Sequence, residues 1–291
     1  MLLLMVISLV LVMVFILQSI AFITLYERHL LGSSQIRLGP TKVSFMGVLQ
    51  ALLDGLKLLK KEQVLPLFAS DLVFIFVPGV FFVLMYLQWF ILPYLYSFLS
   101  MEYSLLFFLC LLGFSVYTTM ISGYVSKSKY GMIGALRASS QSVSYEIAFS
   151  LYLLSVMFSF SVFMFKVNFS YLMIFLFMPF LIMVLAELNR APFDFAEGES
   201  ELVSGYNVEF GSVAFVLLFL SEYGSLIFFC SLLSVLFFFF SVILIFFISL
   251  LIFIRSSYPR YRYDLMMKMF WFKFLPVSLI YLCYFYFLLM I

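Results

Sequence analysis

The run FGSVAFVLLFLSEYGSLIFFCSLLSVLFFFFSVILIFFISLLIFI, residues 210–254, contains a single charged residue, Glu222. As one helix it would extend about 68 Å, whereas the hydrocarbon core of a bilayer is about 30 Å thick. We therefore expect two crossings, at about 210–229 and 231–254, although no polar turn divides them.

The rest of the chain carries more runs of this kind. A spanning helix needs about 20 apolar residues, and further candidates lie at 2–25, 72–92, 104–125, 145–165, 171–189 and 272–290. Only 10% of the 291 residues are charged, whereas soluble domains have about 25%. We predict an all-α, polytopic membrane protein with eight transmembrane helices, forming a single integral membrane domain over residues 1–291.

The distribution of positive charge supports two crossings in 210–254. Of the 16 Lys and Arg residues, only Lys166 then falls outside one set of polar loops and their helix ends: 26–71, 126–144, 190–209 and 255–271. A single crossing would move the cluster Arg255, Arg260, Arg262 and Lys268 to the opposite side, against the positive-inside rule. We expect both termini on the less charged side.

A shorter helix is predicted within the first polar loop, at about 44–62. Its apolar stripe consists of Phe45, Leu49, Leu52, Leu56 and Leu59, and its polar stripe of Gln50, Asp54, Lys57 and Lys61. Because it is too charged to span, we expect it to lie along the membrane interface or against the bundle. It is either an ordinary amphipathic surface helix or a lid over an opening between helices, with Asp54 as its functional residue.

Two arginines follow the first span. Arg28 can extend to the lipid headgroups with Glu27 paired beside it, which would be a purely structural arrangement. Alternatively, Arg28 and Arg37 lie near an opening and hold a polar headgroup by hydrogen bonds.

An acidic stretch, residues 186–210 with the sequence AELNRAPFDFAEGESELVSGYNVEF, separates two apolar runs. It holds six of the 14 acidic residues: Glu187, Asp194, Glu197, Glu199, Glu201 and Glu209. Pro192 prevents simple continuation of the preceding helix. Glu197, Glu199 and Glu201 are close in either helical or extended geometry. They form a coupled cluster that can share and pass protons, or else a solvated acidic loop.

Three carboxylates lie inside or beside apolar runs: Glu146, Glu187 and Glu222. A lone carboxylate in hydrocarbon costs free energy, so each should face the protein interior, protonated or paired. Arg190 is the candidate partner of Glu187 at i+3, which would make Glu187 a helix-end residue in the headgroup zone. For Glu222, which has no basic neighbour in sequence, we favour a buried proton-relay site.

The composition argues against cofactors held by this chain. Cys110, Cys230 and Cys283 are far apart, His29 is the single histidine, and no GxGxxG or P-loop motif occurs. We therefore expect no bound metal, haem, flavin or iron–sulfur cluster. The net charge of +2 gives no indication of nucleic-acid binding. The apolar N-terminus lacks a basic leader and reads as a first span rather than a targeting peptide.

Six segments carry a family resemblance: YERHLLGSSQIRLGP, GVLQALLDGLKLLKKE, SKSKYGMIGALRASSQSVSYE, AELNRAPFDFAEGESELVSGYNVEF, SEYGSLI and IRSSYPRYRYDLMMKMFWFKFLP. In this order they resemble subunit 1 of the proton-pumping NADH–ubiquinone oxidoreductase, respiratory complex I, in its mitochondrial form. The segments cover all four basic loops and the adjoining helix ends. The count of eight helices agrees with that family.

The resemblance implies a core membrane subunit of an NADH:ubiquinone reductase, with ubiquinone as substrate and no redox centre in this chain. It would form the membrane part of the ubiquinone-binding chamber. It would couple quinone reduction to proton translocation through the acidic loop and intramembrane carboxylates. Its partners would be the hydrophilic iron–sulfur and quinone-site subunits, neighbouring membrane-arm subunits and the lipid bilayer. It would be a multi-pass protein of the mitochondrial inner membrane, with polar loops facing the matrix and both termini facing the intermembrane space.

By resemblance, the site residues fall into three groups, with no bond-making catalytic residue among them. Chamber or access residues are Arg28, Arg37, Asp54 and Phe219; proton-coupling residues are Glu146, Glu187, Asp194, Glu197, Glu199, Glu201 and Glu222; and Arg190 is their structural counter-charge. The chain departs from the family at His29, Thr41 and Ala51, where Lys, Asn and Pro are usual. None of these positions lies in the acidic stretch.

Two other functions fit parts of the sequence. A stand-alone proton-coupled transporter would also use intramembrane carboxylates, but transporters often show internal repeats and broken helices, which we do not find in the sequence. A membrane subunit of a related hydrogenase-type complex would share the same motifs. The Phe-rich composition, with 41 Phe residues, favours a respiratory chain component encoded in an AT-rich organelle genome.

Overall fold

The computed structural model describes residues 2–66, 70–94, 101–160, 173–195, 205–207, 209–238 and 242–290. Within these ranges the regular structure is helical, with no β-strand. The α-helices, in chain order, are α1 (Leu2–Ser34), α2 (Val48–Lys60), α3 (Asp71–Gln88), α4 (Ser104–Val125), α5 (Lys129–Phe160), α6 (Met173–Glu187), α7 (Ser212–Phe237), α8 (Val242–Ser257), α9 (Tyr263–Met269) and α10 (Leu275–Met290). A π-helical turn, Phe270–Phe274, joins α9 to α10.

Most of these helices have the length and composition of membrane spans. Six stretches in the described ranges qualify: Val6–Ser34, Leu72–Ile91, Ser104–Val125, Lys129–Ser159, Ser212–Phe237 and Tyr263–Leu288. The helices α6 and α8 contribute shorter apolar segments, Phe175–Glu187 and Ile243–Ser257. The structure therefore supports an all-helical, polytopic membrane protein, and the count of eight crossings stays a prediction.

The apolar run 210–254 divides into two helices, as its length predicts. The helix α7 continues to Phe237, and α8 begins at Val242. The predicted boundary near residue 230 is wrong by about two turns of helix. In the absence of a polar turn, composition alone gave no signal for the position of the break.

The prediction of a polar loop at residues 126–144 is wrong over most of that range. The helix α5 begins at Lys129 and forms a helical hairpin with α4. The Ser128 hydroxyl accepts a hydrogen bond from the backbone N–H of Gly131 at 3.1 Å, which caps the new helix. Gly123 of α4 packs so closely against Ala135 of α5 that a Cβ at Gly123 would collide with it.

The helix α7 lies at the centre of the bundle, where it packs against α1, α2, α3, α6 and α8. A Cβ on Gly224 would lie 2.5 Å from the Met85 sulfur, so this glycine permits the close approach of α3 and α7. Within the largest buried cluster of the described residues, the rings of Phe108, Phe149, Phe180, Phe228 and Phe229 bring α4, α5, α6 and α7 together. Such packing, rather than exclusion of water, holds helices together inside a bilayer.

The predicted amphipathic helix is present as α2. It follows a 3₁₀ turn, Phe45–Gly47, and packs against α1 and α7. None of its residues is buried, and Leu56, in its apolar stripe, is 62% exposed. Gln63, just after α2, accepts a hydrogen bond through its side-chain oxygen from the hydroxyl of Ser212, the first residue of α7, at 3.1 Å. The helix thus lies across α1 and α7 with its leucines turned away from the chain.

Candidate functional site

A buried carboxylate, Glu27, is the meeting point of four parts of the chain. Its Oε2 accepts a hydrogen bond from the Tyr223 hydroxyl at 2.6 Å. Its Oε1 accepts a hydrogen bond from Arg255 and lies 3.5 Å from Arg190 Nη1. The Glu27 side chain is only 7% exposed. We call these four residues the Glu27 cluster; it joins α1, the turn after α6, α7 and α8.

Arg190 is held by the Glu27 cluster rather than by Glu187, so the predicted i+3 pair is wrong. The helix α6 ends at Glu187, and Asn189 adopts φ 47°, which turns the chain away from the helical path. The guanidinium lies 4.2 Å over the Tyr223 ring. Burial by itself would lower the pKa of Arg190, but the nearby Tyr223, Glu27 and Glu222 raise it above its usual value. Arg190 therefore remains a fixed positive charge.

The suggested pairing of Glu27 with Arg28 is also wrong. Arg28 Nη1 instead donates a hydrogen bond to Asp54 Oδ2 of α2 at 2.9 Å. Adjacent helical residues point in directions about 100° apart, so Glu27 faces the bundle while Arg28 faces α2. The sequence had brought neither Tyr223 nor Arg255 into this site.

Glu222, the neighbour of Tyr223 on α7, contacts the other end of the acidic stretch. Its carboxylate accepts a hydrogen bond from the Tyr206 hydroxyl and interacts with the Asn207 side chain. Tyr206 and Asn207 lie in the 3₁₀ turn Gly205–Asn207. Since Tyr223 contacts Arg190, two consecutive residues of α7 hold both ends of the acidic stretch.

The middle of the acidic stretch, with Glu197, Glu199 and Glu201, lies outside the described residues. The first residues of the acidic stretch are bound by side chains of two other regions. Asp194 Oδ2 lies 3.3 Å from Arg260 Nη2. The Gln141 side-chain amide of α5 donates hydrogen bonds to the carbonyls of Ala186 at 3.0 Å and Phe193 at 3.3 Å.

A cavity of about 40 Å³ with a mixed polar and apolar lining lies beside the end of α6. Its polar lining consists of Gln88, Ser115, Thr119, Ser142, Tyr145, Glu187, Asn189 and Ser225. The Tyr145 hydroxyl interacts with the Glu187 carboxylate. The buried oxygens of Gln88 and Asn189 have no hydrogen-bond partner in the part of the chain that the structure describes. A water needs roughly 10–15 Å³ and two or more polar partners, so this cavity can hold water next to Glu187.

Glu146 lies on α5 next to Tyr145 and beside Gly113 of α4. A Cβ on Gly113 would lie 3.5 Å from Glu146 Oε1, an ordinary van der Waals contact. Glu146 is half-buried and close enough to Glu187 to interact electrostatically. Glu187 lines the cavity, whereas Glu146 lies outside its lining, next to Tyr145.

The proposed access residues occupy different surroundings. Arg28 and Asp54 are brought together, with side chains 49% and 43% exposed. Arg37 lies in the exposed turn after α1, where its Nε donates a hydrogen bond to Gln35 at 2.7 Å. Phe219 packs on Tyr223, with ring centroids 4.4 Å apart, and so reaches the Glu27 cluster from one helical turn away.

The structure also includes residues that the sequence did not single out. Tyr145, Tyr206, Tyr223 and Arg255 each bind one of the carboxylates. The sequence could have pointed to Gln88, a residue of the cavity lining, because an amide inside the apolar run 72–92 needs a polar neighbour. The sequence could not have pointed to the tyrosines, since tyrosine is frequent in apolar and interfacial segments alike.

Comparison with known proteins identifies the family. The family model described as NADH dehydrogenase matches residues 7–286. The chain belongs to this family. Among NADH dehydrogenase relatives, it is 43% identical to NADH-ubiquinone oxidoreductase chain 1 of Aedes aegypti over 284 residues, which is 92% of this chain and 90% of the relative. It is 41% identical to the protein of that name from Locusta migratoria over 295 residues, covering 96% and 94% of the two chains.

The similarity extends beyond insects. The chain is 41% identical to NADH-ubiquinone oxidoreductase chain 1 of the sea star Patiria pectinifera over 294 residues, which covers 93% of this chain and 90% of the relative. In the described ranges, no group of three or more His, Cys, Asp and Glu side chains is arranged to hold a metal ion.

Proposed function

We propose that this chain is a membrane subunit of a proton-pumping NADH:ubiquinone oxidoreductase of the mitochondrial inner membrane. It forms the membrane part of the ubiquinone chamber and couples quinone reduction to proton translocation. The family match and the names of the relatives support the enzyme. The geometry of α7, where Glu222 and Tyr223 hold the two ends of the acidic stretch, is the observation that carries the coupling role.

The chamber side of the proposal rests on α1, α2 and α7. The helix α2 lies across the other two and is joined to α1 by the half-exposed Arg28–Asp54 pair. Phe219 and Tyr223 add an aromatic surface on α7. A lid held by an exposed ion pair opens at low cost, since such pairs contribute about 0–1 kcal/mol. We infer that a long apolar quinone tail passes here, with Arg37 on the adjoining exposed turn.

The coupling side rests on buried carboxylates. Reduction of a quinone to a quinol takes up two electrons and two protons, and the quinol itself is uncharged. Protons drawn from nearby acidic groups leave those groups more negative, so the charge beside the chamber changes. The Glu27 cluster holds two guanidinium groups against one carboxylate, and Arg190 lies within electrostatic reach of both Glu27 and Glu222. A charge change on one side of Arg190 therefore alters the proton affinity of Glu222 on the other.

The proton path that we propose includes seven carboxylates: Glu146, Glu187, Asp194, Glu197, Glu199, Glu201 and Glu222, with Arg190 as counter-charge. Glu187 borders the cavity, where Gln88 and Asn189 can hold water beside it. Glu146 lies within electrostatic reach of Glu187. The electrons come from iron–sulfur subunits on the hydrophilic side. The polar loops face those partners and the matrix, and both termini face the intermembrane space.

Glu222→Gln in the assembled complex tests this function. We expect NADH oxidation with an artificial acceptor to be unchanged, because that reaction bypasses the membrane. Quinone-linked, proton-coupled turnover should fall by about 10²-fold or more, as for loss of a positioned proton-transfer group. Glu102→Gln, on an exposed turn before α4, removes the same charge elsewhere and should have no effect. Normal proton-coupled turnover in Glu222→Gln would refute the coupling role.

A further inference from the structure

The connection between α8 and α9 lies against the start of the acidic stretch. The backbone N–H of Tyr261 donates a hydrogen bond to the carbonyl of Pro192 at 2.9 Å. One residue earlier, Arg260 pairs with Asp194; their side chains are 28% and 15% exposed. We call residues 259–263 the strap and residues 192–195 the arm that it holds.

Aromatic rings extend this contact on both sides of the ion pair. Phe193 packs against Tyr261, with ring centroids 5.6 Å apart, and against Phe270 at 6.1 Å. Phe195 meets Tyr263 edge-on at 5.8 Å. Both phenylalanines are buried. The C-terminal part of the sequence therefore holds the arm by main chain, charge and rings, in addition to the hydrogen bond from Gln141 to Phe193.

The strap is itself held at Tyr263, and the helix end that leads into it is held at Arg255. The Tyr263 hydroxyl forms a hydrogen bond with the Ser140 hydroxyl of α5 at 2.8 Å. At its other side, Arg255 at the end of α8 binds Glu27. Arg255 and Arg260 lie five positions apart in the sequence and bind acidic residues of two different regions. The strap thus connects the Glu27 cluster to the base of the acidic stretch.

We propose that Arg260 and Tyr261 are positioning residues for the coupling reaction. They touch neither quinone nor a transferred proton; they fix Asp194 and the arm, the part of the acidic stretch that precedes Glu197, Glu199 and Glu201 in the sequence. This inference rests on the proposed function, because it assigns the strap a role in the same proton coupling. A rearrangement at Glu27 reaches the arm through Arg255 and the strap without passing along the acidic stretch itself.

Arg260→Gln in the assembled complex tests the proposal. With rates normalised to NADH oxidation by an artificial acceptor, kcat for quinone-linked turnover should fall by about two- to thirtyfold, the range for residues that modulate coupling between sites. The KM for quinone should not change, because the access side is untouched. Arg262→Gln is the matched control: Arg262 is 79% exposed and pairs with Asp264, 60% exposed. It should leave turnover unchanged.

Two further variants separate positioning from general destabilisation. Arg260→Lys keeps the charge and should restore most of the turnover. Asp194→Asn combined with Arg260→Gln should be less severe than the sum of the two single variants, because both substitutions remove the same ion pair. Equal behaviour of Arg260→Gln and Arg262→Gln, or full additivity with Asp194→Asn, would overturn the assignment.

Tyr261→Leu covers the case in which Arg260→Gln prevents assembly. It removes the ring contact with Phe193 and keeps the ion pair, so kcat should also fall, but by less than in Arg260→Gln. Unchanged turnover per assembled complex in this variant would then overturn the proposal. The result for Glu222→Gln tells the two hypotheses apart: a normal strap variant beside an inactive Glu222→Gln refutes only the strap, whereas normal turnover in both refutes the proposed function.

Discussion

Glu27 and Arg28 are neighbours on α1, yet they belong to opposite electrostatic environments. The Glu27 side chain is 7% exposed and bound by Tyr223, Arg190 and Arg255. Arg28 is 49% exposed and pairs with Asp54. The difference follows from helix geometry, since adjacent side chains diverge by about 100°. A single position along α1 therefore separates a fixed ionic junction from an adjustable one.

The two environments suit two mechanical roles. A buried carboxylate that has lost its hydration must keep its partners, because leaving a charge unpaired there costs about 3–5 kcal/mol. An exposed pair trades its contact for water at about 0–1 kcal/mol. We infer that α1, α7 and α8 stay together during the reaction while α2 moves. Three variants test this contrast.

The largest effect is expected for Glu27→Gln. The substitution leaves Arg190 and Arg255 without their shared counter-charge, so we expect a loss of about 3–5 kcal/mol in stability. This loss of stability should be seen as a lower yield of assembled complex on native gels and a lower midpoint temperature of thermal unfolding. Glu62→Gln, an exposed site just after α2, is the matched control. If the two variants assembled equally well, the contrast between buried and exposed charge would be wrong.

A smaller effect is expected for Tyr223→Phe. This change removes the hydroxyl that binds Glu27 and keeps the ring beneath Arg190. Hydrogen bonds to charged groups contribute about 1.5–3 kcal/mol, so the thermal midpoint should lie between those of wild type and Glu27→Gln. Combining the two substitutions checks the assignment. Since Tyr223→Phe removes a contact with the same carboxylate, its effect should shrink in the Glu27→Gln background, and full additivity would argue against a shared cluster.

Much of the fold was predictable because membrane spans are local. Length alone divided 210–254 into two helices, and periodicity located α2. The failure at 126–144 has a physical reason: Gln141 and Ser144 are polar but buried, and Gln141 donates hydrogen bonds to Ala186 and Phe193. A hydropathy profile scores a buried polar side chain that is hydrogen-bonded within the protein in the same way as one that is exposed to water.

Three carboxylates of the candidate site could be singled out from the sequence, whereas Glu27 and the partners of all four could not. Glu146, Glu187 and Glu222 stand out because charge is costly in apolar sequence. Glu27 did not, because Arg28 beside it offered a simple local partner. Its actual partner Arg255 lies 228 positions away, a separation that no helical periodicity reports. Likewise, the i+3 rule favoured Glu187 for Arg190, but it applies only while the helix continues, and α6 ends at Glu187.

The smallest effect on stability is expected for Arg28→Gln, since its partner Asp54 is also solvent-accessible. We expect a change of about 0–1 kcal/mol, reduced further by salt. What should change is the behaviour of α2: without the ion pair the lid opens more readily, and the apparent KM for a long-tailed quinone should shift by up to about fivefold, the equivalent of 1 kcal/mol. A short-tailed quinone should be less affected, because it does not need the full opening. Asp54→Asn removes the same pair and should give the same shift, with no further change in the double variant. A loss of assembly as severe as that of Glu27→Gln would mean that α2 is as firmly fixed as the Glu27 cluster, and would argue against α2 as the moving part of the proposed chamber.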